Sequence, residues 1–199
     1  MRILAAGLAL AGCAAPPARI AHPKPFPARV ALLPLANHSN SLAGPQLIRQ
    51  LIHMRLTGGL YRPMSVDEVD RRLRELGVTD GGQLGAIPPA RLGEALQADG
   101  LLIGEVLAFD RQTLGVMNKR AVEVRLRLVD PATGATLWEA TRRQANSKVG
   151  LSQDAIAENL AGGIAEKLVE NVMHNPLRPE SEDVVQSLMK ELNTARKYW

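Results

Sequence analysis

The spacing of apolar residues along the chain changes between strand-like and helical, and each spacing predicts one type of element. In residues 121–129, aliphatic and charged residues alternate, which is typical of an antiparallel strand with one face in water. From Pro45 onward the apolar residues recur three or four positions apart, which predicts a helix with one buried face. Gly58 and Gly59 end this helix.

The same patterns predict elements along most of the chain. The predicted strands are 30–35, 60–64, 100–109, 121–129 and 136–143. The predicted helices are the one that starts at Pro45, 65–77, one or two short helices within 79–98, 152–173, and an exposed helix at 182–198. Helices and a strand meander in this order predict an α/β (α+β) sandwich, in which helices pack on a mixed sheet of about five strands.

Local signals set some of the boundaries. Ser65 and Glu68 have the spacing of a capping box, in which the hydroxyl accepts a backbone amide and the carboxylate reaches back. Pro63 restricts the second strand to a sheet edge or a strand end, because proline has no amide to donate. Asp130 and Gly134 bracket a tight turn, in which the Asp130 carboxylate accepts nearby amides.

The first residues have the layout of a secretory signal. Arg2 gives a positive start, and the apolar stretch 3–11 that follows is too short to span a bilayer. The sequence LAGC that ends at Cys13 resembles the lipobox of bacterial lipoproteins. This resemblance implies cleavage between Gly12 and Cys13 and attachment of a diacylglyceryl group to the Cys13 sulfur.

The residues after the cysteine extend this interpretation. Ala14 stands where aspartate would signal retention in the inner membrane, so we expect an outer-membrane anchor and a domain that faces the periplasm, with surface exposure left open. Prolines then recur up to Ala28, which favours an extended polyproline spacer. The sequence therefore divides into a signal peptide (1–12), a lipidated cysteine with a proline-rich tether (13–28), an α/β domain (29–174) and a tail predicted to be helical (175–199).

Three segments, in order behind the lipobox, resemble a family of bacterial outer-membrane lipoproteins. They are the apolar run 30–35 with the Asn/Ser loop after it, residues 98–103, and the hairpin 129–138. The family's fold is like those of the N-terminal domain of TolB and the periplasmic domain of CsgG, so the resemblance implies a TolB-like fold over residues 29–171. It also implies a protein without known catalysis, encoded near CsgG-like secretion or assembly lipoproteins.

Composition and motifs argue against several classes of function. Aromatic residues make up 3% of the chain and the formal net charge is only +4, with basic and acidic residues interspersed, so we expect no nucleic-acid binding. The four histidines lack metal-ligand spacing, and the single cysteine, Cys13, cannot form an internal disulfide. Trp138 is expected to lie half-buried on the sheet. Since no nucleophile, paired-carboxylate or phosphate-loop motif stands out, we expect no enzyme, metal or cofactor.

These observations predict a lipid-anchored, non-enzymatic protein with a structural, assembly or secretion-accessory role. Its expected partners are the membrane, through the lipid on Cys13, and envelope proteins such as CsgG-like lipoproteins, with self-association as an option. The working surface is either the strand edge at 60–64 or the C-terminal helix at 182–198. Gly162 and Gly163 mark either a bend in their helix or a helix start at residue 164, or else close packing against another subunit. The alternative function is a periplasmic module that binds a glycan or a peptide, although scarce aromatics count against a glycan.

Overall fold

The computed structural model describes residues 25–114, 117–149 and 177–199, apart from the side chains of 112–114, 117–118 and 147–149. Its strands are β1 (Arg29–Leu32), β2 (Ala36–Asn37), β3 (Arg62–Pro63), β4 (Gly100–Leu114), β5 (Met117–Val129) and β6 (Thr136–Val149). Its helices are α1 (Gly44–Thr57), α2 (Val66–Glu75), a 3-10 helix (Gly81–Ala86), α3 (Pro89–Leu96) and α4 (Arg178–Tyr198). Within these ranges no helix has the length and apolar character needed to cross a membrane.

Several sequence-based predictions lie outside the described residues. They concern the signal peptide 1–12 with its cleavage site at Gly12, the lipidated Cys13, the tether up to residue 24, and the helix 152–173 with its glycine pair. They stay predictions.

The strands form one six-stranded mixed sheet. Its order is β3-β1-β4-β5-β6, and β2 pairs with β4 beside this path. β1 lies parallel to both β3 and β4, whereas β4, β5 and β6 form an antiparallel meander. The predicted α/β sandwich with a mixed sheet is therefore confirmed, with one short strand more than expected.

Helices cover the sheet from both sides. Val30 and Leu32 of β1 point into a core that includes α1 and α4, whereas Ala31 and Leu33 point into a second core that includes α2 and α3. All four side chains have almost no exposed surface. A strand buried on both faces is apolar at every position, which explains why the opening run does not alternate.

One face of β5, in the middle of the meander, is covered by the rest of the protein. The aliphatic side chains of β5 on this face are buried against α4 and neighbouring elements: Val122, Val124, Leu126 and Leu128. Glu123, Arg125 and Arg127 lie between them along the strand and point to the opposite face. The predicted strand with one polar face is confirmed.

The C-terminal helix is present, but the expectation that it is exposed is wrong. Val184, Val185, Leu188 and Leu192 of α4 are almost completely buried in the same core as α1 and β5. These positions recur at helical spacing, so α4 has an apolar face of its own. The aliphatic face of β5 needs a cover, and α4 supplies it.

The predicted capping box at the start of α2 is half formed. The Ser65 hydroxyl accepts the backbone N–H of Glu68 at 3.4 Å. The Glu68 carboxylate binds Arg71 and Arg72 instead of reaching back, with N–O distances of 2.7 and 2.6 Å. Hydrogen bonds from these two guanidinium groups lower the pKa of Glu68 to about 2. A charged partner on the next turn attracts the carboxylate more strongly than a neutral amide does.

The turn between β5 and β6 confirms the prediction for Asp130. Its carboxylate accepts the Ala132 amide at 2.9 Å and the Thr133 hydroxyl at 3.0 Å. Gly134 takes a φ of 72°, which side chains with a Cβ rarely adopt. Trp138, on the return strand, is half-buried against the core, as expected.

Candidate functional site

A cleft of about 420 Å³ opens beyond the carboxyl end of β1. The chain leaves β1 toward α1 on one face of the sheet, and leaves the neighbouring β3 toward α2 on the other face. Where the connections from two neighbouring strands run to opposite faces of a sheet, a crevice opens at the carboxyl ends of the strands. Open α/β sheets commonly bind ligands in such a crevice. The walls of the cleft are the loop after β1, the first turns of α1 and α2, and the segment that leads into the 3-10 helix.

Arg49 of α1 and Asp70 of α2 face each other in this cleft. The Arg49 side chain is only 10% exposed, and its Nη2 lies 2.7 Å from a carboxylate oxygen of Asp70. Nη1 donates to the other carboxylate oxygen at 3.0 Å, and Nη2 donates to the Leu32 carbonyl at 3.0 Å. The guanidinium therefore ties α1, α2 and the end of β1 together, which fixes the width of the cleft.

His53 lies one helical turn beyond Arg49 on α1. Burial, reinforced by the positive charge of Arg49, lowers the pKa of its imidazole, so the neutral form dominates at pH 7. His38, on the loop after β2, lies 3.7 Å from the Glu105 carboxylate and far along the chain from His53. In the described ranges no three side chains among His, Cys, Asp and Glu are grouped to hold a metal.

The polar face of the meander carries cross-strand ion pairs. Arg125 of β5 lies between Glu105 of β4 and Glu139 of β6, at 3.3 and 3.8 Å. Arg143 of β6 lies 2.8 Å from Glu123 of β5. Positive and negative groups alternate across the strands, so this face has no dominant sign of charge.

The two edges of the sheet differ greatly in length. β3 forms one edge, as predicted for 60–64, but it has only two residues and ends at Pro63. β6 forms the other edge: it has 14 residues, and among the described residues it pairs with β5 alone. A long edge presents a row of backbone N–H and C=O groups to another chain. The longer candidate edge is therefore one that the sequence patterns did not single out.

The family model described as "Putative lipoprotein GNA1162-like" matches residues 20–197. The chain belongs to this family. The resemblance read from three sequence segments is confirmed, and the GNA1162-like match extends beyond residue 171 to include nearly all of α4. This extent agrees with the burial of α4 in the core of the fold.

Solved structures share the fold of this GNA1162-like chain at low sequence identity. Lipoprotein GNA1162 from Neisseria meningitidis is 17% identical, with a TM-score of 0.58 over 72% of this chain and 99% of that one. The hypothetical protein CT253 from Chlamydia trachomatis is 14% identical, with a TM-score of 0.50 over 84% and 96%. The PelC dodecamer from Paraburkholderia phytofirmans, at 18% identity and a TM-score of 0.43, is too distant to bear on assembly. No curated protein matches the sequence.

Proposed function

We propose that the protein is a lipid-anchored, non-enzymatic lipoprotein of the outer membrane that acts through protein–protein contacts, in a structural, assembly or secretion-accessory role. The observation that carries this proposal is the 14-residue edge strand β6. Membership of a lipoprotein family supports the anchored part. The charged groups of the cleft support the non-enzymatic part, because Arg49 and Asp70 are engaged with each other and with the backbone.

A partner strand could bind β6 through backbone hydrogen bonds and through side-chain contacts. A strand added to this edge would continue the sheet, with one face beside α4 and the other beside the cross-strand ion pairs. Arg142 of β6 forms an ion pair with Glu191 of α4, which holds the strand against its helix. Charged groups on the open face would select a partner strand with complementary charges.

Single-cysteine cross-linking in intact cells tests the β6 edge. The thioether at a lipidated Cys13 leaves an introduced cysteine as the only free thiol. We expect Thr141→Cys and Ala145→Cys, both on the charged face of β6, to give cross-linked species identified by mass. The matched control is Arg62→Cys on the short β3 edge, for which we expect a yield several times lower. Equal yields at both edges, or none at β6, would contradict the proposal.

Labelling with palmitate tests the anchor. We expect the native chain to incorporate label and Cys13→Ala to lose it, because only a sulfur at this position can form the thioether. Label that persists in Cys13→Ala rules out this attachment site. Ala14→Asp is the matched variant for the outer-membrane part: it should keep the label and move the protein to the inner-membrane fraction.

The second candidate function, a periplasmic module that binds a peptide or a glycan, is favoured by the cleft beyond β1. The described residues that line it include no aromatic ring on which a sugar could stack, so a peptide is the better fit. A bound ligand raises the midpoint of thermal unfolding, because it stabilises the folded state by a free energy that grows with the logarithm of its concentration over Kd. Such a rise separates this candidate from a purely structural role.

A further inference from the structure

The end of the domain at which β1 begins joins three distant parts of the chain; we call it the tether end. The Phe26 ring contacts Trp199 edge to face, with 5.1 Å between ring centroids, and lies 6.4 Å from the Tyr61 ring. Arg196 of α4 lies over Tyr61, 5.0 Å from the ring centroid. The first described residues, the start of β3 and the end of α4 are therefore packed together, and Pro25 lines a cavity with Trp199.

A shallow basic groove lies beside this end, between the end of α1 and the second half of α4. Arg55, Lys190 and Lys197 contribute its charged side chains, and all three are exposed. The described residues that line the groove include no carboxylate. Cations are favoured at the C-terminal ends of helices, because the last carbonyl groups carry negative partial charge. This effect explains part of the concentration of basic residues in the groove.

Exposed apolar side chains accompany these charges. Leu60, Met54 and Tyr198 are 63%, 55% and 67% exposed, and Lys197 lies 5.7 Å from the centroid of the Tyr198 ring. Helix-end electrostatics does not explain large apolar groups held in water. Aromatic and aliphatic groups interspersed with lysine and arginine are typical of surfaces that lie at a membrane–water interface.

We propose that the tether end docks on the surface of an anionic phospholipid bilayer, with Arg55, Lys190 and Lys197 beside the headgroups and Leu60 and Tyr198 at the interface. This docked orientation rests on the proposed lipid at Cys13, which would hold the amino end of the described domain close to the membrane. The stretch from Cys13 to Pro25 spans at most about 40 Å when fully extended. It enters the fold at this end, so the anchor holds this surface near the bilayer.

Docking would orient the whole domain. The cleft lies beyond the carboxyl end of β1, whereas the tether end lies at its amino end. The bilayer would therefore leave the cleft and the far half of the β4–β6 meander pointing into the aqueous compartment. The lipid chain and the charged surface would then bind the same membrane at the same time, so that their combined affinity exceeds that of either attachment alone.

Vesicle binding tests the proposal without help from an acyl chain. The protein is residues 13–199 with Cys13→Ser, which keeps every described residue, including Phe26, the first that is buried in the described part of the core. We expect sedimentation with vesicles of phosphatidylglycerol and phosphatidylcholine, but not with phosphatidylcholine alone. Arg55→Gln/Lys197→Gln should lower the partition coefficient roughly 25-fold, because each basic residue near an anionic surface contributes about a factor of five.

The matched control is Arg111→Gln/Lys119→Gln, which removes the same charge from exposed positions in the outer half of the β4–β5 hairpin. It should leave binding within about twofold, because these positions lie roughly 30 Å along the strands from the amino end of β4 and charges beyond a Debye length of the surface are screened. Leu60→Ser/Tyr198→Ser should also weaken binding, at unchanged charge. Equal loss in both glutamine pairs would overturn the proposal, since net charge alone would explain it. So would the absence of any preference for anionic vesicles, the result expected if an acidic protein covers this surface.

The two proposals fail separately. If palmitate label persists in Cys13→Ala while vesicle binding follows the predicted pattern, the anchor at Cys13 is wrong and the docking surface stands. If label depends on Cys13 but the glutamine pairs do not differ, the anchor stands and the docking surface is wrong.

Discussion

Replacement of Leu188 by alanine is expected to lower the free energy of unfolding by about 2–5 kcal/mol. Leu188 is fully buried in the core that α4 shares with α1 and the meander. Truncation to alanine removes apolar contacts and leaves a cavity, because neighbours on three rigid elements relax only in part. Urea denaturation measures the change as a lower midpoint at an unchanged m-value.

Gln186→Ala is the matched control for Leu188→Ala, since Gln186 lies on the exposed face of the same helix. Helix propensity changes little between glutamine and alanine, so we expect a shift within about 0.5 kcal/mol. If the two variants proved equally stable, α4 would have to be detached from the core in solution.

Replacement of Gly81 by alanine is the second large effect that we expect. A Cβ built on Gly81 would lie 2.3 Å from the Leu35 carbonyl carbon and 2.4 Å from the Ala36 nitrogen. Backbone atoms cannot rotate away as a side chain can, so the 3-10 helix must move off the loop after β1. We expect a loss of at least about 2 kcal/mol in the free energy of unfolding.

Gly85→Ala provides the comparison, because it lies in the same 3-10 helix and its Cβ would meet no atom within 4 Å. We expect this variant to be as stable as the native chain or slightly more so, since alanine restricts the unfolded chain. If both variants lost similar stability, the cause would be alanine in the 3-10 helix in general and not the close approach of Gly81 to the Leu35–Ala36 backbone. Because Leu35 and Asp80 line the cleft, Gly81→Ala should also change its shape.

Most elements could be predicted because their own residues carry the signal. α1 and β5 each have an apolar face of regular period, and the turn at Asp130 has local hydrogen-bonding chemistry. The meander strands extend beyond the predicted limits, to Leu114 in β4 and Val149 in β6. Their outer parts are rich in polar residues, so no apolar alternation marked them. β2 has only two residues, and its pairing with β4 is a tertiary contact that leaves no local pattern.

The candidate site was less accessible to sequence reasoning, since its parts are distant in the chain. Arg49 and Asp70 are 21 residues apart on different helices, and each looks like an ordinary surface charge in its own segment. Whether β6 lies at the edge of the sheet depends on the order of the strands, and the alternation of apolar and polar residues within each strand does not specify this order. Two signals were present but not used: the helical spacing of the apolar residues in α4, and the spacing of Asp80 and Gln83, which form a complete capping box.

The position of α4 has a consequence for how the chain reaches its folded state. Synthesis delivers the residues in order, and β5 ends at Val129 whereas α4, which covers its aliphatic face, begins only at Arg178. During that interval a growing sheet displays an apolar surface and a long open edge, the features that make partly folded chains aggregate. A chaperone could bind the chain during this interval. The contact of Phe26 with Trp199 marks the end of the interval, because it forms only when the end of α4 packs against the residues before β1.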